Sequence, residues 1–148
     1  MSRKARMQQE RIESTMGKLL HEELSGSIIG AAMAVLNELK PGLDEKIYER
    51  ALVLELLSRG RKVDQQQRFE VHYRDHLVGT LIPDLVVDDL VITDPKVVTA
   101  FGDSEEAQMI GYLNISGLQL ALLLNFKYAK LQWKRIVLES RRERPVEN

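Results

Sequence analysis

The run LQLALLLNF, residues 118–126, is apolar at odd and even positions alike. Side chains alternate between the two faces of a strand, so a strand of this composition must be covered on both faces. A two-sided cover means helices packed above and below a sheet, and the rest of the sequence supplies them. From Ser25, residues Ile28, Ala32, Val35 and Leu39 recur at helical spacing, Ile29 and Leu36 widen the stripe, and Pro41-Gly42 stops it. A second helix is expected from about Leu43 to Ser58, with Ile47, Ala51 and Leu54 inward and Gly60 just past its end. Helical spacing returns after Gly102, over roughly residues 104–115.

Strand signals fill the gaps. Val63 to Tyr73 is extended in character, Arg74-Asp75-His76 makes a turn, and Leu77 to Val87 and Leu90 to Val98 are the next two strands. After the apolar run, YAKLQWKRIVL alternates loosely as a closing strand. The predicted order α-α-β-β-β-α-β-β describes an α/β domain whose mixed β-sheet is flanked by helices. Residues 1–24 are rich in charge and poor in apolar positions, which suggests an exposed helical or partly disordered arm, with Arg3, Lys4 and Arg6 near its start. Residues 139–148 form a charged tail, leaving 25–138 as the folded domain.

A chain of 148 residues is most simply one domain and needs no disulfide or structural metal to bury a core. It has no cysteine, which excludes thiolate zinc sites, iron–sulfur clusters and cysteine nucleophiles. With 21 basic and 22 acidic residues, the net charge of −1 gives no global footprint for nucleic acid, so polyanion binding must be local or carried by a metal ion. No segment has the apolar core of a signal peptide or the ~20-residue length of a membrane span, so a soluble cytoplasmic protein without a membrane partner is expected.

The stretch TLIPDLVVDDLVITDPKVV, residues 80–98, sets acids and a lysine into two apolar runs. Asp94 and Lys96 are two apart and project from the same face of a strand. With Asp84 on the neighbouring strand, they form the set that metal-assisted phosphodiester hydrolysis uses. The carboxylates offer hard oxygen ligands to Mg²⁺, and the lysine can orient water or offset charge on the phosphate. A geometric condition attaches to this. If Asp88-Asp89 were a two-residue turn, position 84 would pair with 93 and the two acids would face apart; a three-residue loop or a bulge sets 84 opposite 94. Asp-Pro is equally at home in a solvated strand end, because proline cannot donate to a sheet ladder.

The segment SIIGAAMAVLNELKPGLDEKIYERALVLELLSRG, followed by PDLVV, the D-x-K tripeptide, EEAQMIGYL, GLQLALLLNF and KRIV, resembles the GxxExxY proteins over residues 26 to 138. That family lies within the PD-(D/E)XK nuclease superfamily, and Gly42, Glu45 and Tyr48 match its named positions. The resemblance implies a restriction-endonuclease-like α-β-β-β-α-β core. It also implies Glu45, Asp84 and Asp94 as holders of Mg²⁺ (or Mn²⁺), Lys96 as the catalytic lysine, and Gln108 as the helical glutamine that helps position the site. Asp94 stands where members usually carry the longer Glu, Pro95 where a sheet-forming residue is typical, and Asn37 where histidine is common in the first helix.

Other residues have plainer readings. Glu45 and Tyr48 share a helix face, where they could bond to each other, and Glu45 is also favoured by the helix dipole. Gly42 suits a turn with unusual dihedrals. Asp103, Glu105 and Glu106 suit a helix start. His72 and His76 straddle a turn, a poor metal pair. If alternation holds, Lys130 and Lys134 share a strand face and make a phosphate-contacting edge, with Lys127 and Arg135 close by. The reading is a Mg²⁺-dependent nuclease acting on DNA or RNA. Its rivals are a catalytically inactive nuclease-fold binding or assembly module, and a subunit that forms a homo-oligomer through its apolar helices.

Overall fold

The computed structural model describes residues 2–6 and 20–138. Residues 3–6 of the expected arm are helical, while residues 1 and 7–19 and the whole expected tail, 139–148, lie outside the described residues. The elements in chain order are α1 (Glu22–Leu39), α2 (Glu45–Ser58), β1 (Val63–Asp64), β2 (Phe69–Tyr73), β3 (His76–Leu81), β4 (Leu85–Val87), β5 (Val91–Lys96), α3 (Asp103–Ser116), β6 (Leu120–Asn125) and β7 (Gln132–Val137).

A five-stranded sheet in the order β1-β4-β5-β6-β7 carries the core, and β2 and β3 form a separate hairpin. Within the sheet only β5 and β6 run parallel, joined by the crossover through α3; the other pairings are antiparallel. All of β6 is buried, as its composition requires. One parity of the central strands, Leu85, Val87, Val91, Leu120, Leu122 and Leu124, packs with α1 and α2. The opposite parity, Val86, Ile92, Ala121 and Leu123, packs with Met109 and Leu113 of α3. Helices thus cover both faces. No helix among the described residues is long and apolar enough to cross a membrane.

The structure corrects three expectations. The two strands predicted at 63–73 and 77–87 each break in two, giving five strands before α3. After Asp64 the chain turns away, with the Asp64 Oδ1 accepting from the Gln66 amide at 2.9 Å, a side-chain turn that ends the ladder. The second break falls at Ile82-Pro83-Asp84, where the chain passes from the hairpin into the main sheet and Pro83 has no N–H to continue a ladder.

The third correction concerns α2. Its buried residues are Tyr48, Glu49, Leu52 and Leu56, whereas Ile47 is 41% exposed and Leu54 69%. Nearly every side of this helix carries an apolar residue, so periodicity alone could not choose the face. Tyr48 chooses it. Its ring stacks on Phe126 with centroids 4.9 Å apart, and its hydroxyl donates to Lys40 O at 2.6 Å and accepts from the Leu43 amide at 3.1 Å. These bonds pin the α1–α2 turn, where Gly42 adopts φ of 109°, a conformation open mainly to glycine.

Candidate active site

The β4–β5 connection meets the geometric condition set by the sequence. Val87 pairs with Val91, Val86 with Ile92 and Leu85 with Thr93, so the loop has three residues, 88–90, and the same register continued by one places Asp84 opposite Asp94. Asp88 and Asp89 both take positive φ, 53° and 59°, which aspartate tolerates better than most residues. Asp88 is held there by accepting from the Lys62 amide at 2.8 Å and from Arg61 at 3.2 Å.

Asp94 is only 3% exposed. Its Oδ2 lies 3.2 Å from Lys96 Nζ, while its Oδ1 is buried with no donor to it among the described residues. Burial first, then the neighbouring Asp84 carboxyl by hydrogen bonding and by its charge, push the Asp94 pKa up to about 7, against the pull of Lys96. Two ionised carboxylates have no proton to share, so their contact is favourable only while one holds a proton or a cation replaces it. Burial works against the Lys96 ammonium, but Asp94, Glu45 and Asp84 together outweigh it and raise its pKa. Lys96 is therefore a fixed cation in this site, suited to stabilising negative charge.

Pro95 fits without loss. Lys96 O accepts from Phe126 N, just past the end of β6, at 2.9 Å, and backbone groups of successive strand residues point to alternate edges. Pro95 thus turns its missing N–H to the β4 side, where pairing has ended at Leu85 and Thr93. Val97 exposes its amide on that same open edge, and Glu45 Oε1 accepts from it at 3.3 Å. Glu45 is brought to the site, but as an acceptor for the strand edge; it does not bond Tyr48. On the far side, Asn125 clamps the chain after Lys96. Its Nδ2 donates to Val98 O at 2.8 Å and its Oδ1 accepts from the Val98 amide at 3.1 Å. Asn125 was missed in the sequence, although a lone polar residue in a strand buried on both faces must find partners.

From α3, Gln108 Nε2 donates to the Tyr112 hydroxyl at 3.1 Å. Burial, followed by the charges of Asp94 and Asp84, raises the Tyr112 pKa, so Tyr112 keeps its proton. The sequence had noted the shared helix face of Gln108 and Tyr112 without giving Tyr112 a place in the site. Glu105 caps its own helix by accepting from the Gly102 amide at 3.0 Å.

The basic edge is not assembled as predicted. The closing strand starts at Gln132, so Lys130 lies in the preceding turn, while Lys134 sits on β7 and is paired with Glu106. The turn begins because Asn125 Oδ1 also accepts from the Lys127 amide at 3.1 Å and bends the chain. Lys130 and Lys134 share no strand face.

Asp84 just before β4 and Asp94 and Lys96 on β5 come together at the open end of the sheet, and the family comparison covers these residues and the flanking helix α3. The model of the PD-(D/E)XK nuclease superfamily matches residues 22–136. The chain belongs to the PD-(D/E)XK nuclease superfamily. No curated protein and no solved structure matches it. PD-(D/E)XK nucleases usually use divalent metals, and the residues here can be tested for that use. Among the described residues, no three of His, Cys, Asp or Glu are grouped to hold a metal. The Asp84–Asp94 pair alone nevertheless fits Mg²⁺, which is commonly bound through one or two carboxylates with water and substrate phosphate filling the other positions. The donorless Asp94 Oδ1 is the vacancy in bonding that such a cation would satisfy.

Proposed function

We propose that the chain is a divalent-metal-dependent nuclease of the GxxExxY type that hydrolyses phosphodiester bonds of DNA or RNA. The observation that carries this reading is the register that sets Asp84 opposite Asp94 beside Lys96. Asp84 and Asp94 are the acids that would hold Mg²⁺ or Mn²⁺, and Glu45 is a neighbouring acid engaged with the Val97 amide. The bound cation supplies Lewis-acid polarisation of the phosphate and lowers the pKa of water.

The protein's own groups do the rest. Lys96, kept protonated by its acidic neighbours, stabilises negative charge developing on the phosphate oxygens. Glu45, by holding the Val97 amide, fixes the backbone from which Lys96 projects. Gln108 orients the Tyr112 hydroxyl so that its proton is directed to solvent or substrate oxygen.

Isothermal calorimetry with Mn²⁺ and Mg²⁺ tests the reading, with Asp84→Ala and Asp94→Ala alongside the parent. Binding by the parent that both substitutions abolish, together with cleavage of oligonucleotides, is the expected result. A parent that binds no metal would overturn the catalytic reading and leave a nuclease-fold binding or assembly module.

A further inference from the structure

A cavity of about 380 Å³ opens beside the acid pair, between the first turns of α2 and the chain leaving β1. Asp84 lies in its wall together with Lys46, Arg50, Gln65 and Gln66. A volume of this order is typical of sites that enclose a small ligand or a piece of a larger one. Its charges are unequal in availability. Lys46 Nζ is paired with Glu49 Oε2 at 3.0 Å, and Glu49 is itself buried. Asp84 lies opposite Asp94 in the extended β4–β5 register. Arg50 is exposed and, of the two cations lining the cavity, is the one with no oppositely charged partner among the described residues. Lys46, Glu49 and Arg50 share one face of α2 by their i, i+3 and i+4 spacing, so the helix presents this guanidinium toward the same opening as Asp84.

We infer that this cavity is a binding subsite for the nucleic-acid strand next to the reacting phosphate. Arg50 takes the oxygens of a neighbouring phosphate through its planar fork. Gln65 and Gln66, exposed and carrying both donors and acceptors, line the path of the sugar and base. The subsite deepens the nuclease reading above and rests on it for the position of the reacting phosphate, but strand binding at Arg50 requires no chemistry at the acids.

That separation makes the test decisive. Fluorescence anisotropy with a labelled single-stranded oligonucleotide, without divalent metal, is measured over a range of salt for the parent, Arg50→Gln, Arg50→Lys and Lys62→Gln. Lys62 lies on the β4–β5 turn side of the sheet, paired with Asp89, and serves as the control. Arg50→Gln is expected to bind about tenfold more weakly and to flatten the log–log salt slope by about 0.7, the amount lost with one single-strand phosphate contact. Arg50→Lys should recover part of the affinity, and Lys62→Gln should match the parent. Equal affinity and slope for the parent and Arg50→Gln would overturn the subsite, as would a parent that does not bind. Cleavage with Mn²⁺ is read in parallel. Cleavage with an unchanged KM in Arg50→Gln sinks the subsite and spares the nuclease, while loss of binding in Arg50→Gln without any parental cleavage does the reverse.

Discussion

Asp94 sits in a place where its charge is unwelcome unless something positive joins it. It is buried, faces Asp84 and has one oxygen without a donor. Its pKa is raised to about 7 from an unfolded value near 3.9, so between these limits the folded state holds more proton than the unfolded one. The stability this group contributes is fully present below about pH 4 and is lost as pH rises through about 7. Asp94→Asn keeps the shape and removes the titration. In metal-free buffer it is expected to raise the melting temperature at pH 8 by a few degrees, with little difference from the parent at pH 4. Thermal unfolding at the two pH values measures this. An Asn variant less stable than the parent at pH 8 would show that the Lys96 partnership outweighs the cost of the buried charge.

At the scale of elements, the two faces of α2 give a contrast that stability measurements can read. Leu52 is wholly buried and Leu54 is 69% exposed, although both are leucines two residues apart. Leu52→Ala is expected to cost about 2–4 kcal/mol through lost burial and a cavity, and Leu54→Ala no more than about 0.5 kcal/mol. Urea unfolding of both variants checks the assignment, and equal costs would contradict the packing described. The pair also shows what could be read in the sequence and what could not. The both-face apolar run at β6 demanded a covered sheet, and α1 and α3 announced themselves through clear spacing. In α2 the apolar residues surround the helix, so the inward face was settled by tertiary contacts that sequence spacing does not encode, namely Tyr48 on Phe126 and on the α1–α2 turn. Asp84, Asp94 and Lys96 were legible because charges inside strand-like runs need a reason. Their meeting was legible only as a condition on a turn, which the positive φ values of Asp88 and Asp89 satisfy. Glu45 on the Val97 amide, Asn125 on Val98 and the opening beside Arg50 join residues at least 15 apart in the chain, and no local pattern links them.

For the whole molecule, the decisive feature is where β4 ends. Beyond Leu85 and Thr93 the sheet leaves one edge of β5 open, which lets Pro95 sit in a central strand and brings Glu45 to the Val97 amide. It also leaves the acid pair at the end of the sheet rather than sealed inside it, with Asp84 partly exposed. A molecule with a net charge of −1 has no general attraction for a polyanion, so a cation at these acids would change the local field as well as the chemistry. Because the cation and the proton compete for Asp94, metal binding should release a proton and strengthen as pH rises through about 7. A ligand that binds only the folded state raises the melting temperature with its concentration over its Kd. At a fixed Mn²⁺ concentration, the metal-induced rise in melting temperature is therefore expected to be several-fold larger at pH 8 than at pH 6. In Asp94→Asn it should be absent at both. A rise of equal size at the two pH values would mean that the metal binds elsewhere on the chain, and that the raised proton affinity of Asp94 plays no part in holding it.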